Sequence, residues 1–207
     1  MSFYKRFLEG LKSKKLRKER GEYNGIPFCF PNYRNYVESI DKGVYYALAS
    51  GPGNGKSYWM RNTFIYEPLE FALKTGYKIK ILVFLLEDTI DQTYKNICIH
   101  YLWKRHGIYV SKKILDSKTE PLPDRYLEIL EKDHEFYEMF EDTVYLIDNR
   151  SDPDAILKAC EECQDKYGDE YHYIAIIDNY ANIDKGEYKS KYEAVAEFSS
   201  KHVRRNL

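Results

Sequence analysis

The chain has 207 residues, room for about one domain around a single core, and 43% of them are apolar. With 31% charged residues, no apolar stretch of bilayer-spanning length and no signal-peptide core, it reads as a reduced, cytoplasmic protein with no membrane partner. The net charge of −1 conceals an asymmetry, because residues 1–20 carry eight basic side chains against Glu9 and Glu19, a net of +6, and the remainder is acidic.

The basic stretch, about residues 1–22, reads as a solvated arm or linker helix, with contact to nucleic acid or a neighbouring subunit as the alternative. A turn-rich segment follows at 21–31. Residues 44–49 are a short apolar run between turn signals and predict a buried strand. Residues 56–66 predict a helix, and Pro68 starts a second one that Gly76 closes. The almost wholly apolar run 79–86 predicts a strand covered on both faces. Thr89 is the expected N-cap of a helix over 90–105. Further helices are expected at 124–140, 154–167 and 191–205, and further strands at 143–148 and 173–178. Strands alternating with helices imply right-handed βαβ units and a mainly parallel sheet.

Cys29, Cys98, Cys160 and Cys163 are the four cysteines. The Cys160–Cys163 pair has zinc-like spacing, but no second Cys/His pair is suitably placed and both fall on the helix expected at 154–167. Structural packing is the expected role.

The chemistry concentrates in Ser50-Gly51-Pro52-Gly53-Asn54-Gly55-Lys56-Ser57, which lies between a predicted strand and a predicted helix. Three glycines let the backbone wrap a phosphate with its N–H groups, and the helix dipole favours the anion. Lys56 is placed to reach the β- and γ-phosphates of ATP, Ser57 to ligate Mg²⁺, and Tyr58 follows as part of the same nucleotide-binding stretch. Asp178, ending an apolar strand, is the expected metal-side acid. The next residue is Asn179 rather than the Glu that many P-loop motors place there. The water-orienting carboxylate is therefore expected at Glu87, ending the strand 79–86, with Asp88 as its rival.

These motifs together resemble the motor domain of hexameric replicative DNA helicases of the DnaB type. Asn24-Gly25-Ile26-Pro27-Phe28 resembles the family's entry to the motor, and Leu85-Leu86-Glu87 its Ser-Leu-Glu. Leu146-Ile147-Asp148-Asn149 resembles its Ile-Asp-Asp strand end, and Ile176-Ile177-Asp178-Asn179-Tyr180 the start of its Val-Ile-Asp-Tyr-Leu-Gln. The resemblance spans residues 24–207. Ser50 in place of the loop's first Gly, Asn179 in place of Tyr, and the missing Gln after Tyr180 depart from it.

The resemblance implies an α/β RecA-like P-loop NTPase core at 23–207, its mainly parallel sheet sandwiched by helices and incomplete at the C-terminus, before the family's sensor, DNA loops and arginine finger. The implied activity is ATP hydrolysis driving translocation on single-stranded or forked DNA. Lys56 and Glu87 are then the catalytic pair, Ser57 and Asp178 the Mg²⁺ ligands, and Ser50 to Tyr58 the nucleotide cradle. The implied assembly is a homo-hexamer with a primase or loader as partner, in a bacterial or phage-infected cell. A RecA/RadA-like recombination ATPase and a nucleotide-binding, non-motor assembly partner are the competing readings.

The RecA-type arrangement also predicts strand order. It places 143–148, 79–86 and 173–178 side by side in that order, with 44–49 standing apart. That last strand is then expected to be completed by later sequence, paired by a partner, or poorly formed.

Overall fold

The computed structural model describes residues 2–33, 35–51, 53–118 and 120–205. They form two compact units, one within 2–77 together with 203–205 and one within 78–202.

The first unit opens with α1 (Phe3–Glu19), whose N-cap Ser2 accepts from the Lys5 N–H and which buries no residue. A two-residue antiparallel pair follows, β1 (Ile26–Pro27) with β2 (Ser39–Ile40), registering Ile26 against Ile40. Ile26, Phe28 and Ile40 are buried, so the apolar side chains of the 24–28 stretch sit in a small apolar centre while Asn24 and Pro27 are exposed. A Cβ at Gly25 would stand 2.3 Å from the Asp41 carboxylate oxygen, so a larger residue there would have to displace that side chain.

The strand expected at 44–49 is not formed, and the segment takes no regular structure. Val44, Tyr45 and Leu48 are 49%, 44% and 39% exposed. A buried strand must pair its N–H and C=O groups, and an apolar run without a ladder neighbour stays irregular and solvated.

The helix begins at α2 (Lys56–Arg61) and runs without a break through a π-turn (Asn62–Tyr66) into α3 (Glu67–Thr75). Two helices were expected here. Pro68 cannot donate to the residue four before it, and its ring crowds that carbonyl. The wider π-turn, in which the Glu67 N–H reaches the Asn62 carbonyl, takes up the misfit. Ile65, Tyr66 and Leu69 are buried on this run, and Gly76, at φ 71°, ends it.

The second unit is built on β3 (Ile79–Leu85), β4 (Val144–Ile147) and β5 (His172–Asp178). All seven β3 residues are buried, as the continuous apolar run predicts for a central parallel strand. The sheet order is β4-β3-β5 with both pairings parallel, the order expected from the sequence. The sheet has three strands among the described residues, not four. β4 is shorter than expected because Thr143 ends the preceding helix and Asp148 is exposed beyond the strand.

Helices flank this sheet. α4 (Ile90–His106) starts with a full capping box, the Thr89 side chain taking the Gln92 N–H and Gln92 reaching back to Thr89. A four-residue helix not expected from sequence, α5 (Lys112–Leu115), follows. The single helix expected at 124–140 is two, α6 (Asp124–Lys132) and α7 (His134–Thr143). At the break, the Asp133 carboxylate accepts from His106 Nε2 at 2.6 Å and pairs with Arg105 at 3.3 Å. α8 (Pro153–Tyr167) and α9 (Lys191–Arg205) complete the unit, although the end of α9 belongs to the first. Leu82 and Phe84 of β3 pack with Ile156, Leu157 and Ala159 of α8, with Ile183, and with Phe198 of α9. Each of the leucine, isoleucine and phenylalanine side chains contributes roughly 1.5–3 kcal/mol.

Lys80 is buried in this unit, as is Asp178 at the end of β5. Lys80 on β3 donates to the Asp142 carbonyl at 2.5 Å and lies 4.1 Å from the Tyr167 ring centre. The pairing and the ring offset its desolvation.

Candidate functional site

In the first unit, the Asn54 N–H turns back to the Gly51 carbonyl at 3.4 Å, and Gly53 and Gly55 both adopt left-handed conformations at φ 75° and 76°. Side chains rarely tolerate that region, which is why glycine recurs at these alternate positions. Gly55 is also the N-cap of α2 and brings no capping oxygen to its first turn. That leaves the turn suited to an external anion. Ser50, Gly51, Gly53, Asn54 and Gly55 are exposed, Lys56 and Ser57 are half-buried, and Tyr58 is exposed. Pro52 lies outside the described residues.

In the second unit, parallel pairing brings the carboxyl ends of neighbouring strands to one edge. The register sets Leu85 of β3 opposite Asp178 of β5. Asp178 is buried at that edge, while Glu87 emerges exposed two residues beyond β3, with Asp88 half-buried beside it. Asn179 Nδ2 donates to Glu87 Oε2 at 2.8 Å. Asn182 Nδ2 donates to the Leu86 carbonyl at 3.3 Å. Asn179, left-handed at φ 69°, caps the turn Tyr180–Asn182 that carries the second contact.

Two of the sequence-picked acids thus occupy one strand-end edge. The contact that sequence reasoning missed is Asn179 to Glu87. Residue 179 stood out only as a departure from a motif, and a bond across 92 positions leaves no local pattern. The Ser57 hydroxyl in the first unit and the Asp178 carboxylate in the second are each hard oxygen donors of the kind Mg²⁺ takes. No group of three or more His, Cys, Asp and Glu able to hold a metal by itself occurs among the described residues.

The cysteine pair has a packing role. Cys160 and Cys163 lie on α8 against the core of the second unit. Burial pushes the Cys160 thiol up to about 12 and raises that of Cys163, which disfavours the thiolate that metal binding needs.

Comparison of the chain with protein-family models gives no match, and comparison with curated proteins gives none.

Proposed function

We propose that the chain is a nucleotide-binding portion of an ATP-driven DNA helicase motor of the DnaB type. The observation that carries the reading is the edge formed by adjacent parallel strands, with Asp178 ending β5 and Glu87 just past its neighbour β3. Two carboxylates so placed suit the two acidic tasks of phosphoryl transfer to water, one on the metal side and one orienting the nucleophile. The glycine loop leading into α2 suits the phosphates, and the hydroxyl of Ser57 suits the Mg²⁺ that accompanies them. In this reading Lys56 offsets charge that develops on the transferred phosphoryl group. The +6 charge of residues 1–20 suits a polyanion or a neighbouring subunit.

Strand order adds support, because β4-β3-β5 is the order the resemblance predicts. The finer assignments belong to this proposal: the hexamer, the single-stranded DNA track, and a primase or loader. A forked-DNA unwinding assay tests the function. ATP-dependent strand separation that Lys56→Ala abolishes is the expected result. DNA-stimulated ATP hydrolysis without strand separation would favour the recombination-type ATPase, and nucleotide binding with neither activity the non-motor partner.

A further inference from the structure

We propose that Asn179 is a positioning residue for Glu87, holding one carboxylate oxygen so that the other faces the attacking water. The proposal rests on the reading of Glu87 as the water-orienting carboxylate.

The geometry begins with the amide itself. Asn179 Oδ1 accepts the Ala181 N–H at 3.2 Å, and Nδ2 donates to Glu87 Oε2 at 2.8 Å. Only one orientation of the amide satisfies both contacts. Flipping it would set two acceptors against each other at Glu87 and two donors against each other at Ala181. The backbone bond to Ala181 therefore aims the donor at Glu87.

The backbone at 179 contributes as well. Asn179 is one of two described non-glycine residues with positive φ, the other being Ser117. Asparagine tolerates the left-handed region better than most side chains. That conformation starts the turn in which Asn182 ties the Leu86 carbonyl. Glu87 is thus held through its side chain and through the peptide just before it, both from the segment that follows Asp178.

Such an arrangement matters because Glu87 is exposed, where a glutamate otherwise samples several rotamers. A donor on Oε2 restricts the carboxylate, and Oε1 becomes the oxygen that accepts from water. Glutamine could not replace Asn179 in this role, since an extra methylene breaks the bond to Ala181 or the bond to Glu87. Aspartate keeps the acceptor for Ala181 but sets a second negative charge against Glu87.

A double-mutant cycle on the 207-residue chain tests the proposal by single-turnover hydrolysis of radiolabelled ATP with the chain in excess. Asn179→Gly is the informative variant, because glycine adopts φ 69° without strain while removing the amide. We expect it to slow hydrolysis roughly 10–100-fold, the loss of one hydrogen bond to a charged group. Its ATP dissociation constant and melting temperature should stay close to those of the unsubstituted chain. Adding Asn179→Gly to Glu87→Gln should slow the reaction no further, because the carboxylate that Asn179 orients is already gone.

Losses that multiply, or an Asn179→Gly variant at the unsubstituted rate, would overturn the positioning role while leaving Glu87 as the catalytic carboxylate. A Glu87→Gln variant at full rate would overturn both. A readout independent of turnover is the Asn179 side-chain amide in ¹⁵N-resolved NMR spectra. Its resonance should move on Glu87→Ala, and an unmoved resonance would overturn the contact itself.

Discussion

At the scale of single residues, the account depends on which carboxylate faces the reaction. Glu87 and Asp88 are neighbours, but Glu87 is the one bonded to Asn179, and it is the more exposed of the two. If Glu87 orients the attacking water as proposed, Glu87→Gln, which keeps size and shape but removes the carboxylate, should lower turnover by roughly 10²–10⁴ with ATP affinity retained. Steady-state hydrolysis, alongside equilibrium nucleotide binding, measures both. The same loss from Asp88→Asn, with Glu87→Gln near normal, would move the role one residue along the chain. These acids were legible in the sequence because each ends an apolar run. Asn179 was not, because its partner lies on another strand.

At the scale of elements, local chemistry decided which expectations held. The run 79–86 has no polar alternation apart from Lys80, and it became the buried centre of the sheet. Lys80 is accommodated by the Asp142 carbonyl and the Tyr167 ring, partners that no periodicity could reveal. Thr89 followed by Gln92 made the start of α4 readable, since the capping box needs both residues at that spacing. Thr89→Ala should therefore cost about 0.5–2 kcal/mol. Urea unfolding of the second unit's helices, followed by far-UV circular dichroism, measures it. A change under about 0.2 kcal/mol would mean that the cap is not stabilising α4. The break at Asp133 was hidden for the opposite reason, because Arg105 and His106, which hold it, belong to a different helix.

At the scale of the whole molecule, the order β4-β3-β5 follows from reading a P-loop motor in the sequence, and the chain adopts it. The failure at 44–49 has a physical origin too. An apolar stretch between turns has the composition of a strand, but a strand also needs a neighbour to take its hydrogen bonds, and composition cannot supply one. The glycine loop that follows keeps its left-handed turns at Gly53 and Gly55 even so, because those depend on local backbone freedom. Phosphate recognition is therefore the central claim that the chain can answer by itself. Calorimetric titration of the chain with Mg²⁺ and ATP, beside its Lys56→Ala variant, tests it most directly. The account predicts saturable one-site binding that weakens roughly 10–100-fold on losing the lysine; equal affinities, or no binding by the unsubstituted chain, would contradict it.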